Sequence, residues 1–300
     1  MLPILGEALR FFHGYLQRES DGSLVSGPSV SPENVYCLPD GQQASVSMGP
    51  TMDHQIIREL AENYLEGCHL YGKTEDCEEV LGFAREIAEK LPKTAVGADG
   101  RILEWRRDYQ EAELGHRHIS HLYGLYPGRE ICEENPSLWE GAKKTLECRL
   151  QHGGGHTGWS RAWIQCFYAR LKEAEKLDEQ LRLFFENSVA ENLWDVHPPF
   201  QIDGNFGMAA AVLEALAVRR GDRVELLPAL PSAFSKGRVK GQRLKGRLVL
   251  DYAWEEGQLS DVSLYSGKEQ TLRLCYSTGS QSLHIKAGEK VELCFKAKKA

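Results

Sequence analysis

No two cysteines in this 300-residue chain are spaced C-x-x-C, and the eight present are scattered from Cys37 to Cys294. That argues against a disulfide framework or a structural zinc site and leaves the thiols as small apolar side chains. Long apolar runs are missing too, so nothing reaches the roughly 20 residues that a membrane-spanning helix needs. The opening MLPILGEALRFFHGYL lacks the charged-then-apolar order and cleavage site of a secretory signal, and reads as an amphipathic helix entered in mid-course. Charge of one sign is also lacking. With 36 basic and 43 acidic residues the net charge is −7 and the acids are dispersed, which leaves no basic footprint for nucleic acid; the terminal KAKKA reads as a short solvated tail. There is no β-α-β alternation and no glycine-rich phosphate loop at a strand–helix junction. Nucleic acid and membrane are therefore not expected partners. A cytoplasmic location is favoured by the unpaired cysteines and the missing export signal.

What is present changes character along the chain. From Leu2 to about Arg220 apolar residues recur at helical spacing. DHQIIRELAENYL sets Ile56, Ile57, Leu60 and Tyr64 on one face, and CEEVLGFAREIAEKLP does the same with Val80, Leu81, Ala84, Ile87 and Leu91 before stopping at Pro92. NPSLWEGAKKTLECRLQHGGG opens on an asparagine cap and a proline and closes on glycines. GWSRAWIQCFYARLKEA and NFGMAAAVLEALAV bring the count to about six helices. After about Arg223 the period becomes two, in RLVLDYAWEEGQLSDVSLYS, TLRLCYS and VELCFK. Helices first and strands afterwards predict a helical domain over residues 1–222 and an all-β, sandwich-like domain over 223–300.

Long Gly/Pro-rich loops join the helices, and such loops tend to carry function. GPSVSPENVY, ending in Glu33-Asn34, is by itself ordinary turn material. EWRRDYQEAELGHRHISHLYGLYPG holds His116, His118 and His121, which could bind a metal, but no partnering acid follows at metal-site spacing. Hydrogen bonds to neighbouring carboxylates or to a polar ligand are the alternative. Asp108, Glu111 and Glu113 beside these groups could have their proton affinity raised by desolvation, as a general acid requires, or could form a solvated acidic loop. HGGGHTGWSRAW offers close backbone approach and the flat faces of Trp159 and Trp163, the latter better placed for a core. In HPPFQIDGNFG, Asp203-Gly204 reads as a turn and Asn205 as the cap of the next helix. Asp203 would stand just outside that helix, where the partial positive charge favours a carboxylate. One acid kept protonated and one kept charged is the pairing a glycosidase uses.

In sequence order, GPSVSPEN, EAELGHRHISHLYGLYPG, TGWSRAW with HPPFQIDGNFG, and LLPALPSAFSKGRVKGQRLKGRLVLDYAW resemble glycoside hydrolase family 95 over nearly the whole chain. That family contains inverting α-L-fucosidases acting on terminal α-1,2-linked fucose, and some α-L-galactosidases. The resemblance implies an (α/α)6 toroid followed by a C-terminal β domain, with no cofactor and no metal. It places the general acid on Glu113, with Glu111 the second candidate, and the general base on Asp203. Glu33, His118, Trp159, His197 and Asn205 are expected to contact the sugar.

The chain departs from the family pattern by lacking an N-terminal β-sandwich, the first half of the toroid and a motif of two asparagines that orients the base. About six helices stand where a closed toroid needs twelve, so an N-terminally truncated fragment is expected, with the missing half as a possible partner. Faces such as Ile56/Leu60 and Val212/Leu216 would then be left uncovered. The rival readings are a catalytically inactive, carbohydrate-contacting remnant, a related toroid phosphorylase, and a metallohydrolase built on the histidines.

Overall fold

The computed structural model describes residues 1–71 and 77–295, with the side chain of Cys77 and the KAKKA tail outside the described residues. The chain forms two compact units, residues 1–156 and 157–300. The first begins with α1 (Leu2–Tyr15) and short strands β1 (Gln17–Arg18), β2 (Leu24–Val25), β3 (Ser29–Val30), β4 (Tyr36–Cys37), β5 (Gln43–Ala44) and β6 (Val46–Ser47). Helices α2 (Thr51–Tyr71) and α3 (Cys77–Lys90) follow, then β7 (Gln110–Glu111), a single 3-10 turn Ser120–Leu122 and α4 (Pro136–Gln151). Helices α1, α2 and α3 share one apolar core. Val80, Leu81, Ala84, Ile87 and Leu91 are all buried in it, and α2 contributes Ile57, Ala61, Tyr64 and Cys68. Asn135 caps α4 by accepting from the Leu138 amide at 3.5 Å.

The second unit starts with α5 (Gly158–Leu171), α6 (Ala174–Asn187) and α7 (Ile202–Leu216). The periodicity of GWSRAWIQCFYARLKEA predicted one helix there, running on to Ala174. Lys172 instead turns the backbone left-handed (φ 60°) and ends α5. Helix α6, missed in the sequence, buries Leu177, Gln180, Leu181 and Phe184 at helical spacing. Among the described residues there are thus seven α-helices rather than about six.

Strands β8 (Ala217–Arg220), β9 (Arg223–Leu226), β10 (Gly237–Leu244), β11 (Leu248–Glu255), β12 (Gln258–Ser266), β13 (Gln270–Tyr276), β14 (Gly279–Ile285) and β15 (Lys290–Cys294) complete the unit. They form two four-stranded sheets, ordered β10-β11-β12-β15 and β14-β13-β9-β8, with β13 and β9 parallel and the other pairs antiparallel. In β11 Leu248, Leu250, Tyr252 and Trp254 alternate inward, and they join Val224, Leu226, Leu264, Leu272, Leu274 and Ile285 in one core. Burying a side chain of this size contributes about 1.5–3 kcal/mol. The pairing of β8 with β9 begins at Ala217, so the boundary expected after residue 222 falls inside a hairpin.

Three of the four apolar residues expected to lie uncovered are partnered. Leu60 packs against the helical core, while Val212 and Leu216 pack on the sheets. The exposed large apolar residues of these two helices are others, Leu70 and Tyr71 on α2 and Ile202, Phe206 and Leu213 on α7.

Candidate active site

In the first unit the functional loops converge on a buried carboxylate that the sequence reading passed over. β7 pairs with β4 in the register Tyr36↔Glu111 and Cys37↔Gln110, which brings the QEAELGHRH loop beside Ser31 and Asn34. Glu104 lies beneath them, only 5% exposed. Its oxygens accept from the Ser31 hydroxyl at 2.6 Å, the Asn34 amide at 2.9 Å and the Arg149 guanidinium at 2.7 Å. The second arm of Arg149 pairs with Glu111, which also accepts from Arg101 at 2.6 Å. Desolvation pushes the Glu104 carboxyl above the ordinary carboxylate range; Arg149 and the Ser31 and Asn34 donors oppose the shift, and the charge of Glu111 adds to it. His121 approaches Glu104 at 3.4 Å. Burial, with the charges of Arg149 and Arg101, holds this imidazole well below its usual range, so the contact is between a carboxyl and a neutral ring.

Glu33 stands on the rim of this network in a left-handed conformation (φ 53°), its side chain largely exposed. It pairs with Arg117 and lies 3.3 Å from His118 Nε2. His118 and His116 have ring centroids 5.2 Å apart, and the His118 amide donates to His116 Nδ1 at 3.2 Å. Burial lowers the proton affinity of both rings, Glu33 partly restoring that of His118. The histidines therefore neighbour carboxylates, the alternative left open beside metal binding. Among the described residues no group of three or more His, Cys, Asp or Glu could hold a metal ion.

Glu113 does not have the enclosure expected of it. Its side chain is exposed, and only its backbone carbonyl joins the network, accepting from Arg149 at 3.2 Å. Glu111, the second candidate, is engaged by two guanidinium groups. A signal for Glu104 was present, since ILEWRRD sets one acid between apolar residues and a tryptophan. Its partners, however, lie 70 and 45 residues away, at Asn34 and Arg149.

In the second unit the candidate base lies at a helix start. Asp203 occupies the first turn of α7 and is exposed. The helix begins at Ile202, after an extended Gln201, so Asp203 is inside it and Asn205 is not its cap. Asn205 is engaged elsewhere. Its Oδ1 accepts from the Asp195 amide at 2.9 Å and its Nδ2 donates to the Leu193 carbonyl at 2.8 Å, tying the 193–195 turn to α7. Before the helix the chain folds back on itself through a Val196↔Phe200 bridge, with His197 half-buried in the bend. Trp194 and Phe200, both exposed, pack with tilted rings whose centroids are 4.6 Å apart. Trp159 is half-buried in the first turn of α5. Free N–H groups in the first turn of a helix attract anions.

Both units resemble known proteins over nearly their whole length. The glycosyl hydrolase family 95 catalytic domain matches residues 1–216, and the glycoside hydrolase family 95 C-terminal domain matches residues 220–299. The chain belongs to glycoside hydrolase family 95. Within the family it is 35% identical over 300 residues to alpha-L-fucosidase 2 of Arabidopsis thaliana, covering 96% of this chain and 35% of that protein. It is 32% identical over 288 residues to a probable alpha-fucosidase A of Aspergillus niger, covering 86% of this chain and 35% of that protein. The chain thus spans about a third of the length of these relatives. A solved structure titled putative kojibiose phosphorylase from human microbiome shares the fold, with a TM-score of 0.61 at 10% identity over 100% of this chain and 46% of its own.

Proposed function

We propose that the chain carries the catalytic carboxylates of an inverting α-L-fucosidase acting on terminal α-1,2-linked fucose. The observation that supports this most is the contrast between two acids: Glu104, desolvated among hydrogen-bond donors, and Asp203, exposed on the first turn of α7. Inverting hydrolysis needs one carboxyl that holds a proton and gives it to the glycosidic oxygen, and another that takes a proton from the attacking water. Glu104 suits the first role, replacing the exposed Glu113 as its candidate, and Asp203 suits the second. As the bond from C1 to the leaving oxygen breaks, the Glu104 proton passes to that oxygen. Water attacks C1 from the opposite face and releases a proton to Asp203, so the sugar leaves with inverted configuration.

Glu33 with His118 fits recognition of sugar hydroxyls, since a neutral imidazole can both donate and accept. Trp159 and His197 are kept as sugar contacts, whereas Asn205 is assigned to holding the loop before α7. Fucose is favoured over galactose by the names of the relatives. The remaining toroid helices, supplied by fusion or in trans, are expected to complete the pocket, and these 300 residues alone are expected to show negligible turnover. The test is proton NMR of the full-length polypeptide containing these residues, acting on 2′-fucosyllactose. Initial release of the β-anomer of L-fucose, without any need for phosphate, supports the reading. Initial α-anomer, phosphate-dependent release or no release contradicts it.

A further inference from the structure

Asp195 is fully buried, and no donor among the described residues meets either carboxylate oxygen in hydrogen-bonding geometry. A buried acid without such partners is costly, so its retention calls for a reason. Its surroundings supply one. The carboxyl is wedged between Gly158, the first residue of α5, and Gly204, in the first turn of α7. A β-carbon at either glycine would overlap it. Its own amide is held by the Asn205 side chain, which also anchors the Leu193 carbonyl. Both helices thus turn their starts, with their free amides and positive partial charge, toward one carboxyl that fills the space between them. Burial raises the proton affinity of this carboxyl; the Val196 amide opposes the shift, the negative charge of Asp203 adds to it, and His197 opposes it. Asp203 is one residue before Gly204, on the turn that Asp195 supports.

We propose that Asp195 is a positioning residue for the base: it seats the first turn of α7 against that of α5, and so fixes where Asp203 stands. This rests on the reading of Asp203 as the base. It also explains two glycines at helix starts, where any side chain would displace the carboxyl. Nothing about Asp195 calls for contact with the substrate, so its effect should fall on turnover rather than on binding.

The experiment uses the full-length polypeptide with Asp195→Ala, Asp195→Asn, Gly204→Ala and the double variant Asp195→Ala/Gly204→Ala. It reads kcat and KM on 2′-fucosyllactose, thermal midpoint, and amide exchange of residues 202–206. A base misplaced by about 1 Å can lose roughly 100-fold in rate. Asp195→Ala is therefore expected to lose roughly 100-fold in kcat with KM within about threefold, and to speed exchange in 202–206. Asp195→Asn, which keeps the shape, should recover part of the rate. Gly204→Ala is expected to fold poorly, and the double variant to regain the thermal midpoint, because the carboxyl that its methyl group meets is gone, but not kcat. Turnover within about threefold of wild type in Asp195→Ala would overturn the proposal, as would a lower thermal midpoint with unchanged kcat per folded molecule. If the wild-type polypeptide releases no fucose, the proposed function falls, while exchange at 202–206 still decides the positioning role. Unchanged exchange in Asp195→Ala would then overturn it.

Discussion

Glu104 is held by Ser31, Asn34 and Arg149, side chains drawn from one loop and a helix far apart in sequence. Asp203 needs no such gathering around its own carboxyl; it lies in the first turn of α7, exposed, and what is proposed to be positioned from elsewhere is the turn that carries it. The difference shows two ways of giving a carboxyl a task. One withdraws it from water, which favours the protonated form and makes every neighbouring charge count for more. The other leaves it in water at a helix start, where negative charge is welcome. The first is a product of tertiary structure and the second of local chain geometry.

The sharpest way to break the comparison is to remove the charge at the exposed acid. Asp203→Asn in the full-length polypeptide should lower kcat on every fucoside by about 1,000-fold or more, with little change in KM. Loss confined to substrates with poor leaving groups would show that Asp203 acts as the acid. Next comes the network around the buried acid. Arg149→Met leaves Glu104 without its cation and should cost about 3–5 kcal/mol by urea unfolding, whereas replacing Arg149 and Glu104 together by apolar residues should cost less. Equal losses would mean that the two residues do not act as a pair.

The same unit has a histidine whose titration separates it from the Asp203 side. Burial, with the charges of Arg106 and Arg58, lowers His54 to about 4, and its Nε2 accepts from the Ser26 amide at 3.4 Å. The unfolded chain therefore binds a proton that the folded one does not as pH falls from about 6.5 to about 4. Stability should fall across that window by about 3 kcal/mol, and His54→Gln should flatten the slope. Urea unfolding between pH 7 and pH 4 measures it, and an unchanged slope in the variant would contradict the assignment. The smallest effect expected is local: Asn135→Ala removes the cap of α4 and should cost about 1 kcal/mol in thermal unfolding.

The same division between local and tertiary causes decided what could be read in the sequence. The inward face of α3 was legible in full, because five apolar residues at helical spacing leave one solution. The change to period two announced the sheets, though β8 starts at Ala217, before the alternation is visible. Helix α6 was hidden because apolar periodicity continues past Lys172, whose left-handed turn has no glycine to announce it. At the site, Asp203 could be proposed from its neighbours alone. Glu104 was not, because the glutamate of ILEWRRD gains its meaning only when Asn34 and Arg149 fold onto it. Asp108, Glu111 and Glu113 all stand near the histidines in sequence; the family resemblance selected Glu113, and the structure leaves its side chain exposed.

The most direct test of the account is the leaving-group dependence of Glu104→Gln and Glu113→Gln in the full-length polypeptide. Each would be assayed on 2′-fucosyllactose and on an aryl α-L-fucoside with an activated leaving group, which needs little protonation. The account predicts that Glu104→Gln loses about 100-fold or more on 2′-fucosyllactose but far less on the aryl fucoside, and that Glu113→Gln stays within about threefold of wild type on both. Selective loss on 2′-fucosyllactose in Glu113→Gln, with Glu104→Gln affecting both substrates alike, would contradict it.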